Sequence, residues 1–246
     1  MRKVYFMAKY FIQVTATYRI NFLSLLIFPV LGIVLQFNPY LFQEVPVEEY
    51  FAHLTAWLAY MVTINAFTVG HQLVALRERQ FLKQFKYITR DLKVVIFSLI
   101  FSQLFTLLTT VSILALTSTL LFKVSFISVW LFSTGAVLLP FFPLCAVFLV
   151  LNLFPIHLEN LQPIITVSTA VTLFSMNFMQ VTEVKTITSI LFNPMNFALE
   201  VGKIWGSNFF TSITFNTYGV MLSTPIFISI GFLAMKHSKI NANFRV

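Results

Sequence analysis

The sequence predicts an all-α integral membrane protein: an N-terminal interfacial helix followed by six transmembrane helices. Three observations carry that reading. Apolar residues fill 58% of the 246 positions and charged residues only 10%, against roughly 25% charged in an average soluble domain. Mean hydropathy is +0.86. The basic residues fall in short tracts between apolar runs. A chain this poor in charge cannot cover a surface facing water, so lipid must cover most of it. The 30 Phe residues suit a lipid-facing exterior and carry no catalytic hint.

The elements follow in chain order, as one membrane domain over residues 1–246. Residues 1–18 read as the interfacial helix. Val4, Met7, Phe11, Val14 and Tyr18 recur at helical steps on one face, with Arg2, Lys9 and Gln13 on the other. Spans are expected at 20–37, 51–74, 93–116, 127–151, 163–180 and 216–235, each near the ~20 residues that cross ~30 Å of hydrocarbon. Pro29, Pro140, Pro143 and Pro225 fall inside spans, where neighbouring helices or water can satisfy the freed carbonyls. Pro163 suits the first turn of the fifth span. Residues 181–215 form the largest external segment, broken at Asn193-Pro194, and read as short helices dipping into the outer leaflet.

Charge sets the orientation. With both termini in the cytoplasm, only Lys123, Lys185 and Lys203 of the 16 basic residues fall outside. The net charge of +8 is therefore topological, and nucleic acid is not an expected partner. Cys145, the single cysteine, lies in an apolar run, which leaves no disulfide framework or cysteine metal site within one chain. No small-residue cleavage site follows the first apolar run, so no cleavable signal peptide is expected.

The segment 76–92, LRERQFLKQFKYITRDL, is the one sizeable cytoplasmic connection. On a helix, Arg79, Lys83, Lys86 and Arg90 share a face, with Phe81, Phe85, Ile88 and Leu92 opposite. That predicts a short amphipathic helix along the cytoplasmic surface, aromatics toward the bilayer or bundle and a basic ridge exposed. Glu78 is only loosely within reach of Lys83. From spacing alone, an anchor that grips anionic lipid and a docking surface explain this helix equally well.

The run Leu76 to Gln103 resembles the hallmark tract of the permease subunits of type-2 ABC exporters. Arg77-Glu78, Leu82-Lys83 and Lys93 match it; Gln80-Phe81 stands where Gly-Thr is common and Thr89 where Pro is frequent. The resemblance extends to the expected topology, and to Asn193-Pro194 followed by Glu200 in the external segment. It implies that 76–92 is a coupling helix docking an ATP-binding cassette subunit through Arg77, Glu78, Arg79, Phe81, Leu82, Lys83, Phe85 and Lys86. It also implies a second permease copy or a related permease as partner, an outward direction, and a bacterial or archaeal plasma membrane. The chain holds no G-x-x-x-x-G-K-[ST] phosphate loop, so ATP and magnesium belong to the partner subunit and no cofactor is expected here.

Polar side chains within spans are the default place to seek a transport path. Ser98, Ser102 and Gln103 in the third span, Asn65 in the second, and Thr172 and Asn177 in the fifth are the candidates. The competing reading is packing, since hydroxyls in membrane helices often bond their own preceding carbonyls. No charged residue sits at mid-depth in any span, which counts against a carrier built on a buried carboxylate. An intramembrane protease fails on geometry: Glu49 and His71 lie roughly six turns, about 33 Å, apart on one helix. The expected function is a permease exporting a hydrophobic or amphipathic cargo such as a drug, lipid or antimicrobial peptide. A secondary carrier or channel, or a non-transporting membrane subunit, is the rival.

Overall fold

The computed structural model describes residues 2–17, 19–154, 187–209 and 216–238, and they are helical with no strand among them. The expected fifth span, with Thr172 and Asn177, lies outside the described residues, as do parts of the external segment. Helices run α1 Arg2–Thr17, α2 Arg19–Gln36, α3 Val47–Glu78, α4 Phe81–Thr89, α5 Leu92–Phe122 and α6 Phe126–Phe148. A 3-10 segment, Leu149–Leu153, extends α6; then come α7 Ile187–Phe192, α8 Pro194–Gly206 and α9 Thr217–Lys236. Three of these are long and apolar enough to cross a membrane: Leu92–Phe122, Phe126–Leu153 and Thr217–Lys236. They coincide with the third, fourth and sixth expected spans.

The first and second expected spans fall on α2 and α3. In α2, Leu25–Gln36 is a shorter apolar helix among the described residues. α3 is long, 32 residues or about 48 Å, but carries Thr55, Thr63 and Asn65 among its buried positions. Its neighbours explain how it tolerates them. α3 packs against α2, α4, α5, α6 and α8, so protein rather than lipid covers its polar side chains. It is the central post of the described bundle.

Close helix contacts are built on small residues, as membrane packing requires. At Gly70 the α3 backbone meets the carbonyl of Phe148, leaving no room for a Cβ. Gly231 of α9 lies equally close to the backbone of Ala146 on α6. α1 behaves otherwise. Ala8 and Phe11 are buried, and Ser98 of α5 reaches Val4 O at 3.1 Å while Gln103 Nε2 donates to Thr15 Oγ1 at 3.5 Å. The apolar stripe of α1 therefore covers α5, and Tyr5, Phe6 and Tyr10 remain exposed, as aromatic side chains in an interfacial belt do.

At the far end, Asn193 caps α8 by accepting from Met195 N at 3.0 Å, with Pro194 in the first turn. Glu200, buried on α8, accepts from Lys203 Nζ at 2.8 Å and from Asn216 N at 2.7 Å. Asn216 in turn caps α9. One carboxylate thereby fastens the start of the last described helix.

Replacing Gly70 or Gly231 with Ala sets a helix-propensity gain of about 1 kcal/mol against an overpacking cost of about 1–3 kcal/mol. Because the obstruction is backbone in both cases, the cost wins. Thermal unfolding of the detergent-solubilised protein should show both variants lowered in midpoint. Gly219→Ala, obstructed mainly by the flexible end of Ile190, should be affected less.

Candidate functional site

The site of interest is the elbow between α3 and α5. The helix expected over 76–92 is interrupted: α3 runs on to Glu78, and α4 covers only Phe81–Thr89. Gln80 and Arg90, which flank α4, sit at φ 61° and φ 67°. Left-handed backbone costs a residue with a side chain about 1–2 kcal/mol, so the surroundings must over-determine both bends. Thr89 does part of this. Its hydroxyl lies 2.8 Å from Phe85 O and 2.9 Å from Asp91 O. Asp91 then caps α5 by accepting from Lys93 N at 2.9 Å. Lys3 of α1 donates to Thr89 O at 3.4 Å.

Packing does the rest. Leu82 is fully buried, and Phe85 meets Tyr10 and Phe11 of α1 edge-on, with ring centroids 5.9 and 5.8 Å apart. The buried stripe of α4 is therefore Leu82, Phe85 and Thr89. It lies about 90° around the helix from both the basic residues and the Phe81–Ile88 edge. The expected arrangement, aromatics inward and cations outward, is corrected accordingly: the two groups flank the helix on either side. Lys83, Lys86, Tyr87 and Ile88 are exposed and Phe81 is 43% exposed.

Arg77 is the larger departure. Expected on the cytoplasmic docking surface, it is fully buried. Its Nη1 donates to Asn152 O at 2.8 Å and to Phe154 O at 2.9 Å, and its Nε pairs with Glu78 at 3.1 Å. A cation thus meets carbonyls at the C-terminal end of the α6 extension, where the helix dipole also favours positive charge. Glu78 belongs to Arg77, not to Lys83. A signal for this was present, because Arg77 continues the helical stripe Ala66, Val69, Gly70, Leu73 and Val74, all buried. Of the eight expected docking residues, Arg79, Phe81, Lys83 and Lys86 face outward; Arg77, Leu82 and, in part, Phe85 hold the elbow together.

Four of the path candidates, Ser98, Ser102, Gln103 and Asn65, lie among the described residues. Ser98 lies 2.6 Å from Val94 O and 3.1 Å from Val4 O, and Gln103 bonds Thr15, so both tie α5 to α1. Ser102 is buried one turn beyond Ser98, its hydroxyl without a partner among the described residues. Asn65 is fully buried in α3; its Nδ2 donates to Met61 O at 2.9 Å, and its Oδ1 has no hydrogen-bond partner among the described residues. Among the described residues no three of His, Cys, Asp or Glu converge on a metal site.

Two arginines two residues apart should behave oppositely. Arg77→Ala strands one buried and one half-buried carbonyl and should cost about 2–4 kcal/mol, with Lys a poor replacement because it cannot reproduce the fork. Arg79→Ala should stay within about 0.5 kcal/mol. Thermal unfolding midpoints of the two variants in the same detergent decide the comparison. Compared with known protein families, curated proteins and solved structures, the chain finds no match.

Proposed function

We propose that this chain is the membrane-spanning permease subunit of an ATP-driven exporter. On this reading it has six spans, both termini in the cytoplasm and α4 as the coupling helix. The observation that carries the reading is α4 itself. A nine-residue helix is bent sharply away from α3 and α5 at two costly left-handed residues, and packed onto α1. Lys83, Lys86 and Tyr87 nonetheless remain exposed. A lipid anchor needs no such rigid mounting, whereas a lever that transmits a push does.

α3 and α5, 32 and 31 residues long, both exceed the ~20 residues needed to cross hydrocarbon. Their ends can therefore carry α4 to the surface of the bilayer. An ATP-binding cassette subunit docked against α4 would push on both helices at once. Through Arg77 the same push reaches the end of α6. Two permease copies, or this chain and a related one, would form the pathway in a plasma membrane, with ATP and magnesium on the partner. The apolar, hydroxyl-bearing spans suit a hydrophobic or amphipathic cargo.

Co-purification from native membranes in mild detergent tests this. The wild-type chain should retain a partner bearing a phosphate loop, identified by mass spectrometry. The double variant Lys83→Glu, Lys86→Glu should lose it at least tenfold while keeping its membrane insertion and melting midpoint. Phe85 is unsuited to the test because it holds α4 on α1. No such partner, in a preparation that preserves known complexes, would contradict the reading and favour a secondary carrier or channel.

A further inference from the structure

A recess of about 250 Å³ opens beside the elbow, between α1, the end of α3, α4 and α5. Its walls are apolar, among them Phe11, Ala75, Phe81 and Leu99, and Arg79 lines it. Arg79 is exposed and has no ion-pair partner among the described residues, where Glu78 pairs with Arg77. Gln72 also lines the recess, about 10 Å along α3 from Arg79, and its Oε1 is buried without a hydrogen-bond partner among the described residues. Its terminal amide can turn to present either N–H or carbonyl to a ligand. Beyond Tyr10, which borders both, a second and more open recess continues along the α1–α4 seam past Phe6 and Ile88 to Lys3.

We infer that this recess holds one anionic glycerophospholipid of the leaflet that α1 lies against. An unpaired guanidinium calls for an anion, and the apolar walls call for a hydrocarbon chain; only an amphiphile supplies both. The exposed Tyr5, Phe6 and Tyr10 place the opening at the depth where headgroups meet acyl chains. Basic pockets between membrane helices recognise acidic headgroups on the same principle. In this arrangement Arg79 takes the phosphate, the Gln72 amide takes the ester region, and one chain lies against Phe11 and Leu99. The lipid fills the angle between α1 and α4 and so fixes the tilt of α4. The inference rests on the membrane reading alone and needs no ATP-binding partner.

The test uses the full chain in neutral detergent, its thermal midpoint followed as lipid is added. Phosphatidylglycerol should raise the midpoint by about 5 °C, and phosphatidylcholine at equal concentration should raise it much less. Glycerol 3-phosphate, a headgroup without chains, should have no effect. Two variants approach the site from opposite chemistries, each compared with its own lipid-free midpoint. Arg79→Gln removes the cation and should weaken the apparent phosphatidylglycerol affinity about tenfold. Ala75→Leu fills the recess without changing charge and should abolish the response. Equal responses to the two lipids, a full response to glycerol 3-phosphate, or an unchanged response in both variants would each overturn the inference.

Discussion

The elbow depends on a single buried guanidinium. Arg77 ends the longest described helix, and its two short bonds to Asn152 O and Phe154 O tie that end to the terminus of the α6 extension. A buried charge is tolerable only when its donors are met, and here backbone carbonyls and Glu78 meet them. The close approach at Gly70 makes the same α3–α6 contact about two turns earlier on the same face of α3. With α3 immobilised in this way, the left-handed turn at Gln80 launches α4 in one direction only. The position of every residue on α4 follows from that turn.

The same geometry separates two jobs that the sequence runs together. Within the tract Leu76 to Lys86, Arg77, Leu82 and Phe85 look inward and hold the mounting, while Arg79, Lys83 and Lys86 look outward. A charge count treats Arg77, Arg79 and Lys83 alike. The structure makes the first a strut and leaves the others free to meet an anion or a partner surface. A rigid mount with a chemically distinct outer face is what force transmission between subunits would need.

Much of this architecture was legible before any coordinates. The apolar runs of α5, α6 and α9 mark themselves by length and hydropathy, and the amphipathic stripe of α1 by its spacing. The break at Gln80 was not legible, because neither Gly nor Pro marks it and the helical periodicity runs on across it. It is set by tertiary packing, the burial of Leu82 and the contact of Phe85 with Tyr10 and Phe11 of α1, which no local window contains. What the α1 stripe faces was hidden for the same reason: an apolar face suits a bilayer and a neighbouring helix equally. Among the transport-path candidates, the spacing of Ser98 and Ser102 identified a shared face. Only the fold reveals that Ser98, bonded chiefly to its own helix, and Gln103 both also reach α1.

The central claim is that the outer face of α4 meets a cytoplasmic ATP-binding subunit. Tyr87, 76% exposed at the summit of that helix, is the position from which to ask. A photo-activatable cross-linker placed there in the full chain, irradiated in intact native membranes, captures whatever touches α4. The account predicts one dominant protein adduct containing a phosphate-loop sequence, formed from the cytoplasmic side. Adducts only with lipid, or labelling of this position by a membrane-impermeant reagent added outside the cell, would contradict it.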